Sequence, residues 1–105
     1  MKVRFIPAAR QDASDAAAAL DSFRSGWGDA IEAELRRSVT AIGTNPRMYA
    51  RTEDGPDEPE NREYFIARFE YRVIYAIWRD EAVIVAVIHA RHRPSSWQGR
   101  LTELD

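Results

Sequence analysis

Two stretches of this 105-residue chain hold both of its histidines and four of its fourteen arginines. One is Arg68-Phe69-Glu70-Tyr71-Arg72; the other is His89-Ala90-Arg91-His92-Arg93, with Trp97 shortly after. A guanidinium presents a planar fork of donors that fits phosphate or carboxylate. Arg72, Arg91 and Arg93 are therefore candidates for gripping a phosphate backbone or an acidic partner. Ion pairs to Glu63 or Glu70 within the fold are the structural use of the same side chains. His89 can exchange a proton near neutral pH, but a lone histidine on an apolar strand serves equally as a hydrogen-bonded structural group. Trp97 either anchors the tail in the core or offers a stacking surface to a target.

Composition removes much other chemistry. Fourteen of the fifteen basic residues are arginine, so Lys2 alone would have to serve a P-loop or a Schiff base. No cysteine is present, which excludes disulfides, thiolate metal sites and cysteine nucleophiles. With only His89 and His92, a three-histidine metal centre is excluded as well, and no metal or cofactor is expected. The formal charge of −2 gives no whole-molecule pull toward nucleic acid or an anionic membrane. No apolar run reaches the roughly 18 to 20 residues that span a bilayer, and the N-terminus lacks a signal-peptide core. The expectation is a cytoplasmic protein with one domain over residues 1–105.

The elements that must position these residues follow from periodicity. Lys2 to Ile6 alternates in polarity and predicts a strand, after which Pro7 suits either the strand end or the first turn of a helix. From Ala8 to about Arg24, small apolar residues recur at three- and four-residue steps, predicting a helix whose partner approaches closely. Ser25-Gly26-Trp27-Gly28 breaks it, and Asp29 with Glu32 has the spacing of a capping box for a second helix. That helix carries Ile31, Leu35, Val39 and Ile42 on one face and stops at Gly43 and Pro46. Residues 43–63, rich in proline, glycine and carboxylates, read as an acidic, partly mobile loop. Strands are expected over Tyr64–Phe69, Tyr71–Trp78 and Val83–Ala90, with Val83, Val85, Val87, His89 and Arg91 sharing a face of the last.

The predicted fold class is α+β in the order β-α-α-β-β-β, a two-helix hairpin packed on one face of a small antiparallel sheet. The opposite sheet face has no element left to cover it. Whichever set it presents, Tyr71, Val73, Tyr75 and Ile77 or the alternate one, it is expected to receive an apolar partner segment.

The run Arg68 to Ile77, containing "YRVIY", and the run Val85 to Trp97, containing "HARHRP", resemble the RelE/ParE family of type II toxins, as does the element order. The resemblance implies a small toxin neutralised by a cognate antitoxin. It also offers two chemistries. RelE-like members cut mRNA on the ribosome with basic groups on the sheet and a C-terminal tyrosine or histidine; ParE-like members trap DNA gyrase on DNA. Arg72 matches the arginine of the "YR" strand and Arg91 the arginine past the last strand. The lysines of the nuclease branch have no counterpart here, the strand before offering only Arg68, and Trp97 stands where a tyrosine would be. The resemblance thus implies a ParE-like toxin acting on gyrase, with Tyr71, Arg72, Tyr75, Arg91, Arg93 and Trp97 meeting target or antitoxin. The alternative is a diverged ribosome-dependent ribonuclease using Arg68, Arg72, Arg91 and His89.

Overall fold

A computed structural model describes residues 1–92 and 96–105. The chain runs β1 (Lys2–Phe5), α1 (Pro7–Phe23), α2 (Trp27–Thr44), β2 (Asn61–Ile66), β3 (Tyr71–Trp78) and β4 (Glu81–His89), and closes with a short 3₁₀ helix, Gln98–Glu103. The strands form one sheet in the order β1-β4-β3-β2. The expected element order and α+β class are both present.

The pairing of β1 departs from the expectation of an antiparallel sheet, because β1 lies parallel to β4, with Lys2 opposite Glu81 and Phe5 opposite Ile84. The helical hairpin explains this. α1 leads away from β1 and α2 returns, so that a Cβ at Gly43 would lie 3.1 Å from the Met1 carbonyl oxygen. β2 therefore sets out in the direction β1 took, and two hairpin reversals make β4 parallel to both. Both residues of the β3–β4 turn, Arg79 and Asp80, have positive φ, 49° and 61°, as the twist of a two-residue hairpin requires.

Within the helical hairpin, the expected capping box at Asp29 and Glu32 is replaced by another device. α2 begins two residues earlier, at Trp27, and Asp29 lies inside its first turn. The cap comes from α1, whose Asp21 carboxylate accepts hydrogen bonds from the Gly26 and Gly28 backbone N–H groups at 2.9 and 3.2 Å. Gly26 holds φ 93°, which glycine adopts at no steric cost. A Cβ at Gly28 would come within 2.8 Å of the Ala17 carbonyl, so this glycine lets the two helices cross closely.

The two sheet faces are both covered. Tyr71, Val73 and Tyr75 share a face with Tyr64 and Ile66 of β2, and α1 and α2 pack there over Ile31, Leu35 and Ile42. A bulge separates Ile74 opposite Ala86 from Tyr75 opposite Ile84 and leaves Val85 without a partner on β3. That bulge splits the expected common face of Val83, Val85, Val87 and His89. The second face carries Arg72, Ile74 and Ala76. The expectation of an open face is overturned here, because residues 45–60 and the C-terminal tail close over it and bury Trp97 and Leu104.

The acidic loop is pinned, contrary to the mobile segment read from its composition. Glu60 is held by Arg47 at 3.1 Å and by Arg62 at 2.9 Å. Burial works against its ionised form, but the hydrogen bonds from Arg62 and Arg47 outweigh it and keep the carboxyl below its ordinary range. Buried Asn61 donates to the Pro56 and Pro59 carbonyls and accepts from the Thr52 hydroxyl.

One stretch of sheet edge needs separate treatment. Beyond Phe5 the outer edge of β4 has no neighbouring strand among the described residues. Asp12 of α1 accepts from the Val87 backbone N–H at 3.0 Å, Arg100 of the tail donates to the Val85 carbonyl at 3.0 Å, and these two side chains pair at 2.6 Å. Side chains thus satisfy main-chain groups that would otherwise template another strand.

Candidate functional site

The two arginines singled out on the sheet have opposite surroundings. Arg72 points to the loop-covered face, with only 11% of its side chain exposed. It donates bidentately to Asp54 at 2.7 and 3.0 Å and bidentately to Glu63 at 3.0 and 3.2 Å. Hydrogen bonding to Asp54, and then to Glu63, raises its already high pKa, so it is a permanent cation. The same bonds pull the Asp54 carboxyl below its ordinary range against the opposing effect of burial, and the Trp97 indole, donating from Nε1 at 3.0 Å, adds to this. Gln98 donates to the Asp54 carbonyl at 2.8 Å. Trp97 fits because Gly55 has no side chain; a Cβ there would sit 2.7 Å from the indole ring.

This cluster lines a cleft of 560 Å³ together with Ala50, Arg51, Phe65 and Ala90. Two carboxylates already fill the guanidinium fork, so the cleft offers an incoming phosphate no free charge from Arg72. Its chemistry is that of a strut between sheet, loop and tail. The ion pair to Glu63 is one of the structural uses the sequence allowed; Asp54, eighteen residues away in the loop, was not foreseen.

His89 and Tyr71 lie on the other face. They are paired across β3 and β4, with ring centroids 5.4 Å apart and nearly perpendicular. His89 Nδ1 accepts the Arg91 backbone N–H at 3.1 Å. Burial raises the Tyr71 pKa. The pair lines a cleft of 280 Å³ against Asp12, Asp15 and Ala19 of α1. Asp12 is already paired with Arg100, and no group of three or more possible metal ligands converges among the described residues.

Arg68 and Arg91 occupy the end of the sheet. Arg68 sits in the β2–β3 turn over the Phe69 ring, 4.9 Å from its centroid, and Arg91 lies just past β4, separated from its last residue by Ala90. The Ala90 N–H donates to the Glu70 carbonyl at 2.7 Å, which holds these two segments together. Both arginines are exposed and carry no ion pair among the described residues. Arg93 lies outside the described residues. The four residues of the nuclease alternative thus divide between a buried network, the opposite sheet face and an exposed end.

Tyr75 and Trp97 have no exposed surface. Burial pushes the Tyr75 phenol up to about 12, and its hydroxyl donates to the Pro46 carbonyl at 2.5 Å. Neither residue presents atoms to a partner in this conformation, a correction to the contact surface the resemblance implied. Period-two alternation marks which residues share a face without telling which face is covered, and both sets on β3 are largely apolar. The aromatic residues at the far end of the helical hairpin, Phe23 and Trp27, were read only as helix and linker positions; an exposed phenylalanine next to a tryptophan was the available signal.

Among the described residues no helix is long and apolar enough to cross a membrane. No individual curated protein matches the chain at a significant level. Residues 3–94 match the family model described as ParE toxin of type II toxin-antitoxin system, parDE. That span takes in both helices, strands β2 to β4, all of β1 but Lys2, and Arg68, Arg72, Arg91 and Arg93, and the chain belongs to the ParE toxin family of type II toxin–antitoxin systems.

Proposed function

We propose that this toxin acts in the cytoplasm on DNA gyrase, holding it on DNA without itself making or breaking bonds, and that a cognate antitoxin encoded with it neutralises it in a plasmid-stabilisation type of system. The observation that carries this reading is the dispersal of the nuclease-like set. A ribonuclease must bring a proton acceptor and a phosphate-binding cation to one phosphodiester. Here the Arg72 fork is filled by Asp54 and Glu63, while His89 lies on the opposite face against Tyr71. The matched family is consistent with the same reading. Of the antitoxin or target contacts the sequence suggested, exposed Arg91 and the accessible part of Tyr71 are the ones open among the described residues, and Arg93 lies outside them.

The test is a supercoiling assay with purified gyrase and purified toxin, run beside toeprinting on a translating message. Loss of supercoiling with accumulation of cleaved DNA, and no cuts at the ribosomal A site, is expected. Normal supercoiling at every soluble toxin concentration ends the gyrase assignment, and A-site cleavage replaces it with the ribonuclease.

A further inference from the structure

At the end of the molecule where the helical hairpin turns, five side chains form a ladder, rooted in the core through Phe69 and Trp27, that the proposed target does not use. Phe23, the last residue of α1, is 80% exposed. It stacks on Trp27 with centroids 5.6 Å apart and planes 26° from parallel. Trp27 in turn meets Phe69 edge-on at 5.8 Å. Arg24 lies over Trp27 at 5.6 Å and Arg68 over Phe69 at 4.9 Å. Solvated phenylalanine is costly on a free surface, and Trp27 covers only one face of this ring. Its other face is open and held in a fixed plane by the tryptophan behind it.

We propose that this ladder is a stacking platform for an unpaired nucleobase, with Arg24, Arg68 and neighbouring Arg91 attracting the phosphates on either side. Two observations choose a single-stranded nucleic acid over an apolar peptide. The open surface is a flat π face extended by a parallel ring, which suits a base of any sequence. The cations beside it are Arg24, Arg68 and Arg91, none of which is in an ion pair among the described residues. The chain's acidic surface near the hairpin, with Asp21, Asp29 and Glu32, forms a separate groove. Asp21 is two residues from Phe23 and so about 200° around the helix from it. The proposal goes beyond the gyrase reading and stands or falls without it, because binding to a bare strand needs no gyrase.

The experiment is fluorescence anisotropy with a labelled oligothymidylate of about ten nucleotides, within the usual length of a stacking groove, at low salt and then at rising salt. Binding that weakens with salt is expected. Phe23→Leu, which keeps apolar packing on Trp27 but removes the π face, should weaken binding about tenfold. Arg24→Ala with Arg68→Ala should weaken it further and flatten the salt dependence, with circular dichroism confirming the fold of each variant. No binding by the parent chain overturns the proposal, as does equal binding of duplex DNA. Binding by Phe23→Leu as tight as the parent also overturns it; if that variant instead still docks a protein partner normally, the platform is an apolar protein contact.

Discussion

Arg72 and Arg91 are the same residue type, on or just past adjacent strands, and they do opposite work. Arg72 is enclosed by Asp54 and Glu63 under a loop and a tail that it helps to hold down. Arg91 stands exposed at the strand end with no ion pair among the described residues, one residue past the Ala90 N–H that bonds the turn carrying Arg68. The difference arises outside the strands. Residues 45–60 bring a carboxylate and a glycine notch onto one face, whereas none of the described residues forms an ion pair with the arginines at the end of the sheet. A charged residue in a family motif can thus be a structural strut, and its role is set by what a distant segment delivers to it.

This contrast between a locked face and an open end can be broken most forcefully at Trp97. Trp97→Ala removes the largest fully buried side chain and should cost about 4 kcal/mol, read as a lower urea midpoint. A loss under about 1 kcal/mol, the scale of an ordinary surface-to-core change, would mean the tail does not close the face. Next comes Asp54→Ala, which strands part of the Arg72 charge and the Trp97 indole N–H. It should cost about 3 kcal/mol, at the lower end for a broken buried pair because 18% of the Asp54 side chain remains accessible.

The third effect is on pH dependence. Asp54 and Glu60 are both held below their ordinary values of 3.8 and 4.5. A carboxyl depressed in the folded chain contributes stability that is fully present above its unfolded pKa and is lost as pH falls through its folded one. Stability should therefore be insensitive to these groups above about pH 5 and fall below about pH 4. Asp54→Asn should make that acid slope shallower in chemical-denaturation series at stepped pH. The smallest effect is expected at the open end, where Arg91→Ala should change stability by no more than about 0.5 kcal/mol. A larger loss would show that this end, too, is a strut.

The sequence made some parts of this architecture legible and hid others for definite reasons. Both helices were visible because their apolar positions repeat at the helical period, and β3 was placed at Tyr71–Trp78. β2 was displaced toward Phe69, since a strand starting at Asn61 among carboxylates looks like loop. The cap at Asp21 was hidden because it acts across the hairpin, and the spacing of Asp29 and Glu32 offered a local alternative. The parallel β1 and the bulge at Val85 depend on chain topology and on register, neither of which alternation encodes. At the candidate site the arginines and Trp97 were legible by type, and the pairing of Arg72 with Glu63 was foreseen. The partnership with Asp54 was not, because the loop that carries it had the composition of a solvated segment.

The clasp of Asp12 and Arg100 over the outer edge of β4 carries a consequence for shortened forms of the toxin. A chain ending before Arg100 would lose the cation that occupies the Val85 carbonyl and neutralises Asp12. It would then display a stretch of unguarded strand that another copy can join, so truncation should first appear as fibrous or strand-exchanged polymers in light scattering. The tail is then a stopper against self-assembly, and its removal would disarm the toxin by precipitation.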